Sequence, residues 1–180
     1  MDRYFKFPLF LWIVNDFKNI REKVLKSPIR TKFCAAVITN SNYTDGFRMK
    51  FINELEKYKL IDMGGRYKNN IGRPVKNKKQ FLTSYKFSIS IENSEGDGYL
   101  TEKIIDSFYS GTIPIFYGDY MLDEYINPKT YILIKGEKDI KEKIEYIKKI
   151  DNDDKLYKNI LKENVLIDNN ITFIIYFLNI

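Results

Sequence analysis

The chain has 180 residues and a mass of 21.5 kDa, which fits one domain with or without a small appendage, and its 44% hydrophobic residues suffice for a real core. Thirty Lys and Arg against 24 Asp and Glu give a formal charge of +6, suited to a phosphate-bearing ligand and equally to nucleic acid or an anionic membrane face. The absence of histidine excludes imidazole general bases, His-ligated zinc and imidazole pH switches, leaving carboxylate, Tyr, Lys or water for any proton transfer.

The opening residues MDRYFKF lack the apolar stretch and small-residue cleavage site of a signal peptide. The longest apolar runs, Leu9 to Val14 and Ile171 to Leu178, fall well short of the ~20 residues that span a bilayer, so a soluble or cytoplasmic chain is expected. Asp16 to Lys26 reads as a short helix ended by Ser27-Pro28, making residues 1–30 an N-terminal linker and helix segment. Phe33 to Thr39 is a β-rich run of the kind buried in a parallel sheet, and its Cys34, the single cysteine, is a core thiol with no internal disulfide partner. Asn40 to Thr44 has turn chemistry. Asp45 to Lys59 carries Phe47, Phe51, Ile52 and Leu55 at helical spacing, and Leu60 to Met63 is a short strand ending in Gly64-Gly65. A basic loop with Gly72 and Pro74 runs to Lys76, and Asn77 to Ser84 is a short helix.

Phe87 to Glu92 alternates apolar and polar residues, Asn93 to Gly98 cannot continue a strand, and Thr101 opens a helix with Ile104, Ile105 and Phe108 on one side. Gly96 and Gly98 permit close backbone approach in that loop, and Gly111 ends the helix before a strand at Ile113 to Tyr117. Tyr120 to Ile126 reads as a helical turn and Tyr131 to Ile134 as a strand. Lys138 to Ile150 is an amphipathic helix with Ile140, Ile144, Ile147 and Ile150 as its stripe. Asp151 to Asp154 interrupts, a further helix ends near Val165, and residues 166–180 form a helical tail. The order β-α-β-loop-α-β-α-β predicts an α/β fold: a Rossmann-like, doubly wound parallel sheet over residues 31–165.

In such a sheet, a helix starting at the carboxyl edge of a strand aims its free N–H groups into the crevice, which favours phosphate. The Thr101 helix, with Lys103 in its first turn, is placed to do this. Arg48, in the first turn of the helix after the first strand, reaches the same edge. Its plain alternative is a solvated surface arginine. For Thr101, Glu102 and Lys103 the plain alternative is a helix cap, a dipole partner and a free lysine. Asp151-Asn152-Asp153 has the appearance of a D-x-D metal grip, yet it lies between two helices and reads as a helix break and N-cap. The basic residues Arg66, Lys68, Arg73, Lys76, Lys78 and Lys79 are not interleaved with aromatics as an RNA-binding surface would be, and fit a diphosphate environment or a solvated loop.

The stretch YKFSISIENSEGDGYLTEKIIDSFYSGTIPIFYG, Tyr85 to Gly118, resembles the donor-binding motif of the α-1,3-fucosyltransferases, glycosyltransferase family ten. That motif runs from a strand ending F-E-N through a Gly/Tyr step to V-T-E-K-I-x-D-A-F and G-T-I-P-I-Y-W-G. Leu100 for valine and Phe116-Tyr117 for Tyr-Trp are mild departures. The resemblance covers roughly Lys32 to Pro128, including Gly64-Gly65, the RPVKNKKQF run and TSYKF. It implies the C-terminal, nucleotide-sugar-binding lobe of a two-lobed GT-B enzyme that transfers fucose from GDP-fucose to a glycan hydroxyl with inversion, without a required metal. It further implies donor-binding roles for Arg48, Tyr99, Glu102 and Lys103, with Glu92 and Asn93 as crevice candidates.

The family's catalytic base is a carboxylate of the N-terminal lobe, so no catalytic residue is assigned in this chain, which starts where the second lobe is expected. The implied acceptor is a glycan containing N-acetylglucosamine, a second chain is one source of the acceptor lobe, and Golgi membranes are the expected location for a fragment of an anchored eukaryotic-type enzyme. Two other readings stay open. A non-catalytic nucleotide-sugar binding or partner module would bind GDP-fucose without turnover, and a basic RNA-binding protein would ignore it.

Overall fold

The computed structural model describes residues 24, 26, 30–39, 46–92, 100–118 and 120–167. Five strands, β1 (Lys32–Ala36), β2 (Ile61–Met63), β3 (Tyr85–Ile91), β4 (Ile113–Tyr117) and β5 (Ile132–Leu133), form one sheet in the order β2-β1-β3-β4-β5. Every pairing is parallel, as the α/β alternation predicts. The helices are α1 (Phe47–Glu56), α2 (Lys78–Leu82), α3 (Glu102–Tyr109), α4 (Ile140–Asn152) and α5 (Asp154–Lys162), with 3-10 turns at Tyr120–Glu124, Pro128–Thr130 and Glu137–Asp139.

Strand parity decides the layers. Cys34, Ala36, Phe87, Ile89, Ile91, Ile113 and Ile115 point to one face, where Phe51, Ile52 and Leu55 of α1 and the Ile140-Ile144-Ile147-Ile150 stripe of α4 cover them. On the other face Ile104, Ile105 and Phe108 of α3 pack with Phe116, Leu122 and Ile126, while Leu82 of α2 packs with Ala35 and with Tyr85, which at the first position of β3 departs from the parity of Phe87. Cys34 is buried, and burial pushes its thiol well up, as suits a core thiol.

The alternation in β3 does not expose its polar residues. Ser88 and Ser90 are buried beneath α3, and their hydroxyls bond Thr112 Oγ1 at 2.6 Å and Ser107 Oγ at 2.7 Å. Ser107 Oγ in turn donates to the Lys103 carbonyl at 3.0 Å, so a polar seam ties strand to helix without unsatisfied groups. Gly111 follows α3 with φ +69, the left-handed conformation of a helix-ending glycine.

The D-x-D stretch acts as the helix break. Asp153 caps α5 by accepting from the N–H groups of Lys155 and Leu156, both at 2.9 Å, and Asp151 is buried under Lys59 at 2.5 Å and Lys86 at 3.2 Å. No group of three potential metal ligands occurs among the described residues. Burial pushes the Asp151 carboxyl up, but hydrogen bonds from Lys59, Tyr58 and Lys86 outweigh it and leave the group below its ordinary value. A carboxylate depressed in the folded state adds stability that is full above the unfolded value near pH 4 and lost as pH falls through the lower folded value. Asp151→Ala is therefore expected to cost about 3 kcal/mol at neutral pH, and the gap between variant and parent in urea melts should shrink below about pH 4.

The helical expectation for Asp16 to Lys26 is met at Val24 and Lys26, and its other residues lie outside the described set, as does the tail from residue 168. Ile126 bridges Leu166 in antiparallel fashion, fastening the segment after α5 beside the 3-10 turn. No described helix is long and apolar enough to cross a membrane.

Candidate nucleotide-sugar site

From β1 the chain turns outward through α1 to β2, then crosses back over β1 through α2 to reach β3. The strand order thus reverses between β1 and β3, and ligands of open α/β sheets bind at the carboxyl edge of such a switch point. A cavity of about 290 Å³ opens there. Val37, Ile38 and Thr39 beyond β1 form one wall, and Glu102, Lys103 and Asp106 of α3 face it. Arg48 of α1 and Lys78 of α2 enter from the sides.

Glu92 organises this edge. It follows β3 and is completely buried. One carboxylate oxygen accepts from the Thr101 hydroxyl at 2.6 Å and the Thr101 N–H at 3.1 Å, and the other holds Lys103 Nζ at 2.5 Å. The Thr101 hydroxyl also accepts from the Lys103 N–H at 3.4 Å, capping α3. One carboxylate therefore anchors both the start of α3 and the ammonium group in its first turn. Arg48 reaches the same residue through a long 3.5 Å contact from its Nη2 to the Glu92 carbonyl. Burial pulls the Arg48 guanidinium below its ordinary value and the Glu92 charge opposes that, so the arginine stays cationic.

Two features hold these groups at their stations. Gly46, at φ +77, turns the chain into α1, whose Phe47 ring packs on Tyr117 at the end of β4 with centroids 4.3 Å apart. Gly65 passes so close to the segment after β1 that a Cβ there would overlap the Ile38 carbonyl, which only glycine avoids. That close approach brings the Gly-Gly turn against the crevice wall.

Arg48, Glu92, Glu102 and Lys103 are thus brought to one edge, with Glu102 exposed and Lys103 bound rather than free. Asn93, Gly96, Gly98 and Tyr99 lie outside the described residues. Asp106 was not singled out from sequence, yet it is nearly buried in the cavity wall and holds Lys78 Nζ at 3.2 Å and Lys79 Nζ at 3.5 Å. Its signal was present, since Asp106 follows Lys103 by three residues and shares its helical face. The basic run supplied the partner lysines. A larger cleft of about 530 Å³ opens at the opposite edge beside Lys32, Ser84 and Tyr85, where the strands begin. The switch-point cavity differs in chemistry: two buried carboxylates hold lysines there, Glu92 Lys103 and Asp106 both Lys78 and Lys79, while Arg48 reaches the Glu92 backbone carbonyl.

Residues 27–163 match the family model described as glycosyltransferase family 10 (fucosyltransferase), C-terminal. The chain is 35% identical over 161 residues to alpha-(1,3)-fucosyltransferase FucT of Helicobacter pylori, covering 89% of this chain and 32% of the relative. It is 30% identical over 138 residues to human 4-galactosyl-N-acetylglucosaminide 3-alpha-L-fucosyltransferase 9, covering 74% of this chain and 37% of that protein. A crystal structure of alpha1,3-fucosyltransferase with GDP-fucose superposes with a TM-score of 0.73 at 34% identity, over 87% of this chain and 47% of that one. The chain spans about a third of the length of these curated relatives and about half of the solved chain.

Proposed function

The chain belongs to glycosyltransferase family 10, the fucosyltransferases, and from that premise we propose that it is the donor-binding lobe for fucosyl transfer from GDP-fucose to a glycan hydroxyl. The observation that carries the proposal is the switch-point crevice, where the N-terminus of α3, Lys103 and Arg48 converge around buried Glu92. The similar solved structure containing GDP-fucose supports the choice of ligand.

In the proposed reaction an acceptor oxygen attacks the anomeric carbon of fucose. The new C–O bond forms as the bond from that carbon to the diphosphate oxygen breaks, GDP departs with the electron pair, and a carboxylate base takes the acceptor proton. Arg48, Lys103 and the α3 N–H groups stabilise the charge that grows on the diphosphate. Glu102, exposed at the rim, is suited to accepting hydrogen bonds from ribose or fucose hydroxyls, and Tyr99 is assigned the donor contact that its motif position implies. The base belongs to an acceptor lobe, supplied by a longer form of the protein or a second chain. The acceptor is a glycan with an N-acetylglucosamine unit, a choice supported by the name of the human relative.

Titration calorimetry with GDP-fucose tests the proposal, with GDP-mannose and UDP-N-acetylglucosamine as competitors. Selective binding of GDP-fucose is expected, and binding of none of the three would overturn the donor-lobe reading.

A further inference from the structure

We propose that Lys78, positioned by Asp106, is an additional phosphate-contacting residue of the crevice. This rests on the donor-lobe reading and adds a residue that lies outside the Y-x-T-E-K motif, on a different element. Lys78 is the first residue of α2, and its ammonium lies 3.2 Å from Asp106 Oδ2 with the side chain three-quarters buried. Both residues line the same cavity as Arg48 and Lys103.

The charge balance separates this arrangement from a merely structural ion pair. Asp106 faces two ammonium groups, because Lys79 Nζ lies 3.5 Å from its other oxygen while resting 4.7 Å above the Tyr109 ring. One carboxylate against two lysines leaves an excess positive charge. At Glu92 the carboxylate holds Lys103, and Arg48 adds a second cation beside it through the backbone carbonyl of the same residue. The crevice thus carries two preorganised clusters, in each of which a buried carboxylate fixes at least one lysine and a further cation stands close by, leaving a net charge that attracts an anion.

Preorganisation matters because a free lysine loses rotamer entropy when it grips a ligand, whereas Lys78 is already restrained by Asp106. The half-exposed Lys79 completes the neutralisation of Asp106, and a phosphate oxygen can take up the remaining donors of Lys78 without stripping the carboxylate of both its partners. Asp106 acts through Lys78 and is a positioning residue.

The test is GDP binding to the full chain at several salt concentrations. Lys78→Met is expected to weaken GDP by about tenfold, the loss of one charge-assisted contact, and to flatten the dependence of log Kd on log salt. Lys78→Arg should restore the salt dependence and most of the affinity. Asp106→Asn, checked for folding by circular dichroism, is expected to weaken GDP by about threefold although it raises the net positive charge, because the lysine loses its anchor. If the unmodified chain binds GDP and Lys78→Met binds it equally tightly with the same salt slope, the Lys78 assignment fails while the donor-lobe reading stands. Tighter GDP binding by Asp106→Asn would overturn the positioning role. Absence of GDP binding by the unmodified chain would overturn both readings together.

Discussion

Glu92→Ala is expected to lower the unfolding free energy by about 3–5 kcal/mol, the largest single loss in the crevice. The side chain has no solvent exposure and accepts three hydrogen bonds, from the hydroxyl and N–H of Thr101 and from Lys103. Its removal leaves the first turn of α3 without its anchor and Lys103 without its counter-charge in a partly dry site, and takes away the nearby negative charge that favours the Arg48 cation. Packing adds to the cost, because Gly118 runs against the Glu92 stem closely enough that a Cβ at Gly118 would sit 2.8 Å from Glu92 Cγ. Glu92→Gln keeps that shape but turns amide hydrogens toward either Thr101 or Lys103, so it should recover only part of the loss. Urea melts of Glu92→Ala, Lys103→Met and the double variant check the account. The double variant should be more stable than the sum of the single losses implies by about 1–2 kcal/mol, the signature of a coupled pair. A parent-like melt for Glu92→Ala would show that α3 is anchored by other contacts.

Lys103→Met is expected to lower GDP-fucose affinity by about a hundredfold. A charge-assisted contact from an ammonium to a diphosphate in a partly buried site is worth up to about 3 kcal/mol, and each 1.4 kcal/mol is a factor of ten. The ligand-free state tempers the effect, since Lys103 already binds Glu92 and part of its charge is spent there. Because the single change also leaves Glu92 buried without its partner, the decisive measurement is calorimetry on Lys103→Met with Glu92→Gln, where neither charge remains. If the fold survives and GDP-fucose binding falls by the same factor, the loss belongs to the ligand contact. Parent-like affinity in that double variant would remove Lys103 from the site.

The two results distinguish the jobs of neighbouring residues. Glu92 and Lys103 stand together in the motif as candidates for the ligand, but the oxygens of Glu92 are committed to Thr101 and Lys103. Glu92 therefore governs how the cation is presented, and Lys103 governs what the cation meets. Thr101 contributes through both capabilities of its hydroxyl, donating to Glu92 and accepting from the Lys103 N–H.

Local pattern was sufficient for much of the architecture. The helical spacing of Phe47, Phe51, Ile52 and Leu55, and of Ile140, Ile144, Ile147 and Ile150, marked the faces that are buried. Alternating β and α signals marked a parallel sheet, and the run from Tyr85 to Gly118 marked the family. These features are legible because periodicity, turn chemistry and a long motif depend on neighbours in the chain. Strand ends were less sharp. Phe33 to Thr39 reads as one β run, but the strand stops at Ala36, and the residues beyond it bend to bond the Gly64-Gly65 turn, where Gly64 N–H donates to Ala36 O and Tyr67 N–H to Ile38 O. Ser88 and Ser90 show the same limit, because a polar alternation does not reveal whether a helix will cover it and satisfy the hydroxyls.

The sequence by itself therefore determined the α/β class, the family and the motif residues that gather at one edge. Tertiary structure alone decided how the charged groups there are partnered: the Glu92 carboxylate with Lys103, the Glu92 backbone carbonyl with Arg48, and Asp106 with Lys78 and Lys79. The physical reason is that burial and charge pairing are properties of the assembled sheet. Lys78 and Asp106 belong to different helices that meet only when the chain crosses back over β1, and a carboxylate's task depends on which cations reach it once water has gone.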